Sequence, residues 1–202
     1  MSVLVVLFLT AVLALFSGVY NQEKFARYIG ILGLLVALCV SFSPELAFFN
    51  QYKSMFDFNE NAALFTKISL VVTLLIFFLG GFAFNNHRSH QSELYSLMLF
   101  SLIGAVILFS FTNLVTLFLG IEILSIPLYV MAGSNKTDLR SNEASIKYFL
   151  MGAFATGFLL FGIALIYGST GSFDVHVINT FSVANPKDLM FVMGIMLMLV
   201  AM

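Results

Sequence analysis

The stretch LYSLMLFSLIGAVILFSFTNLVTLFLGIEILSIPLYVMAG, from Leu94 to Gly133, decides the fold, and over forty residues it carries a single charge, Glu122. One helix of that length would measure about 60 Å, twice the roughly 30 Å of bilayer hydrocarbon. The stretch therefore reads as two membrane spans joined by a tight turn. Ser110–Asn113 is the polar cluster near its middle, so the turn falls there, between helices over about Leu94–Phe111 and Asn113–Ala132.

The rest of the chain fits the same solvent. Of 202 residues, 60% are hydrophobic and 9% charged, against about 25% charged in a soluble domain. Mean hydropathy is +1.02. Too little polar surface remains to cover a water-soluble globule, so lipid is the expected environment. The net charge of -1 gives no footprint for nucleic acid. A lone cysteine, Cys39 in an apolar run, excludes an internal disulfide or a Cys-rich metal site, and reads as a small core or lipid-facing residue. No dinucleotide, P-loop or nucleophile-elbow motif occurs.

Outward from the central pair, helix 1 is expected over Ser2–Tyr20 and helix 2 over about Tyr28–Phe42, with Pro44 at its exit. The N-terminal run lacks a basic leader and is too long for a signal peptide. Helix 3 is expected over Ala62–Phe84, and helix 6 over Glu143–Tyr167. Ser172 can cap a short surface helix with Asp174 in its first turn and Val175, Ile178 and Phe181 on its apolar face. A seventh apolar run from Leu189 reaches Met202 without a flanking charge or turn, which predicts an N-terminal portion of a longer protein. The expected fold is all-α, a polytopic transmembrane bundle with about seven spans. Residues 1–93 would form three N-terminal helices with their loops, and 94–202 the start of a helical repeat. Lys24, Arg27, Arg88, Lys136 and Arg140 lie in the first, third and fifth links, against Lys53 and Lys187 in the second and sixth. That bias predicts odd links in the cytoplasm and a periplasmic N-terminus.

Glu122 falls close to the bilayer midplane in an otherwise apolar context. An isolated charge there costs at least ~2.5–3.5 kcal/mol. It is expected to face the bundle, either protonated or paired with a cation. The functional reading is a proton-relay carboxylate; the bland one is a structural carboxyl hydrogen-bonded between helices. Pro127 cannot donate to the Ile123 carbonyl, so a helix break or kink is expected beside the acid, although prolines are common in membrane helices. Lys147 follows Glu143 by four residues, the favourable order for a helical ion pair. It reads as a snorkelling lysine or as a cation acting on a nearby buried acid. Lys67 reads as snorkelling, and His87, His90 and His176 as solvated histidines without a third metal ligand. Gly152, Ala153, Gly157 and Gly162 suggest a close-packing face on helix 6.

Phe-Leu-Gly-Ile-Glu-Ile-Leu-Ser-Ile-Pro-Leu-Tyr from Phe118, Glu-Ala-Ser-Ile-Lys-Tyr-Phe-Leu from Glu143 and Tyr-Gly-Ser-Thr-Gly-Ser from Tyr167 occur in that order. This series closely resembles the antiporter-like proton-channel subunits of bacterial NADH–quinone oxidoreductase, respiratory complex I. The resemblance implies that Glu122 is the helix 5 glutamate of the family's glutamate–lysine pair and that Lys147 is the lysine at the start of helix 6. It also implies about fourteen helices in two inverted repeats with flanking helices, of which this chain holds the first three and most of one repeat. The family's helix 7 lysine and its broken helices would follow Met202.

The function so implied is proton translocation in the bacterial inner membrane, coupled to electron transfer from NADH to quinone. The partners would be other complex I membrane subunits, lipid and protons. No cofactor is expected in this chain; FMN, iron–sulfur clusters, NADH and quinone would belong to other subunits. The alternatives are a subunit of a multisubunit cation/proton antiporter, or a purely structural or assembly membrane subunit in which Glu122 only helps packing.

Overall fold

The computed structural model describes residues 2–19, 23–42, 55–83 and 91–202. Eight helices follow one another: α1 (Ser2–Val19), α2 (Glu23–Ser41), α3 (Glu60–Ala83), α4 (Gln91–Phe109), α5 (Leu114–Ala132), α6 (Leu139–Thr170), α7 (Val175–Ala184) and α8 (Leu189–Ala201). Four of them, α3 to α6, are long and apolar enough to cross a membrane. α1 and α2, at 18 and 19 residues, are about 27–29 Å long and close to the hydrocarbon thickness. The chain is a multi-pass, all-α membrane bundle.

The turn between α4 and α5 lies where the central stretch required it. Asn113 caps α5, accepting the Val115 amide at 2.8 Å, and the Ser110 hydroxyl closes the end of α4 onto the Val106 carbonyl at 3.1 Å. Two helices start four or more residues earlier than hydropathy indicated. α2 begins at Glu23, so most of the polar link before Tyr28 is helical. α6 begins at Leu139 because Asp138 accepts the Arg140 amide at 3.0 Å. Its 32 residues extend about 48 Å, more than a bilayer core requires. Arg140 and Glu143 thus belong to a helix that runs past the apolar region.

The surface helix is present as α7, but its cap is Asp174, not Ser172. The Asp174 carboxylate accepts the His176 amide at 2.8 Å, while Ser172 receives the Asp174 amide at 3.1 Å. Of the three apolar residues expected to dock, Ile178 and Phe181 pack inward, whereas Val175 is exposed.

Two apolar clusters make the core. One joins α1 to α4 around Leu7, Leu34, Leu70, Phe77, Tyr95 and Leu99. The other joins α5, α6 and α8 around Leu117, Leu159, Ile163 and Phe191. α4 is shared, since its opposite side packs on α5. On one rim, three connecting segments form a small antiparallel ladder. Asp57 donates to the Ser110 carbonyl at 2.7 Å and Thr112 to Met55 at 3.3 Å. Leu114 donates to Phe173 at 2.9 Å, and Val175 to Thr112 at 3.0 Å. Successive spans alternate in direction, so all three segments emerge on the same side of the bundle.

Candidate functional site

α5 carries the site. Glu122 lies eight residues after Leu114 and ten before Ala132, or about 12 and 15 Å from the two ends. Glu122 is thus near the middle of α5. Ile123 packs against the α1–α4 cluster and Ile121 against the α5–α8 cluster, so Glu122 sits at the seam between them. Its side chain is half-buried, and Leu119 and Ile126, one turn to either side, are exposed. Among the described residues its carboxylate has no ion pair or hydrogen bond. The cation expected beside it is therefore not supplied by the described residues.

Pro127 does not break the helix. α5 runs unbroken from Leu114 to Ala132 with Pro127 buried inside it. Only one bond is lost, because the ring removes the amide that would have reached the Ile123 carbonyl. In the neighbouring turn the Ser125 hydroxyl donates to the Ile121 carbonyl at 2.5 Å.

Lys147 pairs with Glu143 at 2.5 Å, and both side chains are well exposed, at 69% and 63%. It does not reach Glu122. The Ser145 hydroxyl donates to the Tyr129 carbonyl at 2.9 Å, which makes α5 and α6 level there. Lys147 is then level with about residue 127 of α5, roughly 8 Å along the axis from Glu122.

The α5–α6 joint itself was not legible beforehand. Besides Ser145, the Ser141 hydroxyl donates to the Ala132 carbonyl at 2.8 Å. Tyr129 is wedged edge-on to Tyr148, with centroids 4.7 Å apart, and its hydroxyl occupies the space that Gly152 leaves open. The expected small-residue face of α6 is divided. Gly152 meets α5 and Gly162 meets α8, while Ala153 is exposed and Gly157 has nothing within 4 Å. Residues nine or ten apart on a helix point in different directions, so one stripe serves two neighbours.

Lys67 does more than snorkel, since its ammonium lies 4.6 Å from the Phe42 ring centroid, a cation–π contact between α3 and the residue that follows α2. Cys39 is exposed, consistent with a lipid-facing position. His176 lines a half-open cleft of about 310 Å³ beside the three-segment ladder, with Asp57, Asn59, Phe109, Phe111 and Thr112. His87 and His90 lie outside the described residues. Among the described residues, no group of three metal-ligating side chains forms.

Alternating apolar spans thus frame a mid-span carboxylate, with a proline in the same helix. Residues 110–202 match the family model described as NADH:quinone oxidoreductase/Mrp antiporter, transmembrane, and the chain belongs to that family. Its similarity within the family is to NADH-quinone oxidoreductase subunit N. The protein of that name from Cytophaga hutchinsonii is 43% identical over 175 residues, covering 86% of this chain and 36% of the relative. The one from Flavobacterium psychrophilum is 36% identical over all 202 residues, which is 44% of its own length. The chain thus spans less than half of these relatives.

Among solved structures, respiratory complex I from Thermus thermophilus contains a chain that matches with a TM-score of 0.72 at 27% identity, over 98% of this chain and 42% of that one. A chain of an archaeal membrane-bound sulfane sulfur reductase matches over the whole chain with a TM-score of 0.76, at 21% identity and 44% of its own length, a likeness of fold alone.

Proposed function

We propose that this chain is part of a proton-translocating membrane subunit of an NADH:quinone oxidoreductase, in which Glu122 is a proton-relay carboxylate. The observation that carries the reading is Glu122 itself, near the middle of α5 and without an ion pair among the described residues, inside the segment matched by the antiporter family. A carboxylate in that position is costly unless it is neutralised by a proton or a cation. Approach of a cation favours the ionised form and withdrawal favours the protonated form, so alternation between the two binds and releases a proton at the carboxylate oxygens.

In this reading Lys147 is a relay cation on the cytoplasmic side of Glu122, exchanging its partner Glu143 for the relay during turnover. The lysine that pairs most closely with Glu122 comes from a segment beyond these eight helices. The chain binds no redox cofactor of its own; NADH, FMN, iron–sulfur clusters and quinone lie on partner subunits. The subunit sits in a bacterial inner membrane with its N-terminus periplasmic, a placement supported by the lysine and arginine bias between alternate links.

The test is Glu122→Gln in the full-length protein in its native membrane, with NADH-driven quinone reduction and proton uptake into inverted vesicles recorded together. Proton uptake and coupled turnover should fall together while assembly is retained. A variant that assembles and pumps normally makes the acid structural and ends the relay reading.

One observation favours a second reading: the matched family is described as covering Mrp antiporters as well. Co-purification of the full-length protein with NADH oxidation activity selects the first; sodium–proton exchange without such activity selects the second.

A further inference from the structure

We propose that Gly104 of α4 positions Glu122, by letting the backbone of α4 seat directly on the Ile123–Leu124 peptide of α5. The proposal rests on the reading of Glu122 as a relay group and adds the residue that holds it in place.

Gly104 is buried. A Cβ there would collide with the Leu124 backbone nitrogen and lie 2.7 Å from the Leu124 Cα and 2.8 Å from the Ile123 carbonyl carbon. All three atoms are main chain, so no side-chain rotation relieves the overlap, and one helix must move. The other close glycine of this interface differs in kind. The three atoms nearest a Cβ on Gly120 belong instead to the side chains of Leu108 and Ile107, the closest at 2.8 Å, and a side chain yields more readily than a backbone. The α4–α5 contact is therefore cushioned at Gly120 and hard at Gly104.

The hard point adjoins the acid. Ile123 follows Glu122 directly, and one residue corresponds to a 100° turn of the helix, so seating the Ile123–Leu124 peptide fixes both the depth and the direction of the Glu122 side chain. It also falls where α5 restrains itself least, because Pro127 leaves the Ile123 carbonyl without its helical donor. α4 supplies from outside the restraint that the helix lacks within.

The experiment uses the full-length subunit in its assembled, membrane-bound complex. Gly104→Ala is compared with Gly120→Ala, and Glu122→Gln is run beside them. Two quantities are read: the pH profile of NADH-driven proton uptake, and the carboxyl C=O infrared band of Glu122, isolated by subtracting the Glu122→Gln spectrum. Gly104→Ala should shift that band, displace the pH profile and lower uptake on the order of tenfold to a hundredfold, the scale of an ångström's misplacement. Gly120→Ala should stay close to the parent in both.

An assembled Gly104→Ala complex with the parent band and profile overturns the proposal. If Glu122→Gln pumps normally, the relay reading fails on its own, and the infrared band still decides whether Gly104 positions the acid. Should Gly104→Ala not assemble, Leu108→Phe takes its place, because its larger ring exceeds the room into which Leu108 can turn and forces α4 from α5. The Glu122 band should then move, and a Leu108→Phe complex whose cryo-EM map shows the two helices parted at Gly104 while the band stays at the parent position overturns the proposal equally.

Discussion

Gly162 of α6 and Gly194 of α8 meet backbone to backbone: a Cβ on either would lie 2.8 or 2.9 Å from the other's carbonyl oxygen. Without a hydrophobic force between helices in lipid, such contact is how membrane helices gain packing energy. Gly162→Ala or Gly194→Ala should destabilise the fold by about 1–3 kcal/mol, the usual cost of overpacking. Gly157→Ala enters open space in these helices and should be neutral or stabilising by up to about 1 kcal/mol through helix propensity. Denaturant unfolding in detergent micelles compares the three. Equal effects at positions 157 and 162 would show that the α6–α8 crossing is not glycine-dependent.

The Ser145 hydroxyl ties α6 to the Tyr129 carbonyl of α5, whereas the Ser125 hydroxyl bonds within its own helix. Ser145→Ala should cost about 0.5–1.5 kcal/mol, with membrane measurements favouring the lower part of that range. Ser125→Ala should cost less, because no interhelical contact is lost. Thermal unfolding of the two variants under one condition checks the order.

Asp174 caps α7 and belongs to the three-segment ladder. Asp174→Ala should weaken α7 by about 0.5–2 kcal/mol. The loss should appear as faster hydrogen exchange at the amide of His176, with α6 and α8 unchanged. Faster exchange throughout the bundle would mean that the cap supports more than its own helix.

The Glu143–Lys147 pair is exposed on both sides, so Glu143→Gln should change stability by no more than about 0.5 kcal/mol. Proton uptake in the assembled complex is a separate readout. Lys147→Ala should lower it, and Lys147→Arg should retain more of it. Normal uptake in Lys147→Ala removes that lysine from the relay.

What the sequence disclosed followed from constraints with one solution. Forty residues with a single charge cannot form one span, so the Ser110–Asn113 turn was forced. The mid-depth of Glu122 came from counting along the same stretch. The starts of α2 and α6 were misread because polar residues such as Arg140 and Asn142 look like a link, yet a helix is free to run on past the hydrocarbon. Ser172 and Asp174 are both good caps, and only the ladder decides between them. The surroundings of Glu122 were hidden for a different reason. A pattern of apolar residues says that a helix has neighbours, but not which backbone lies against Ile123. One glycine in an apolar helix such as α4 does not name its partner.

The three-segment ladder has a mechanical consequence. At its start α5 is anchored by backbone bonds from Leu114 to Phe173 and from Thr112, two residues earlier, to Met55. At its end it is tied to α6 through Ser141 and Ser145. A beam held at both ends bows in its middle, and the softest point of this beam is Ile123, where Pro127 withholds a bond. Gly104 blocks the bow on the α4 side. α5 is therefore braced as well as pinned: held at both ends and backed by main chain at its weakest turn, it has no room to move its middle toward α4.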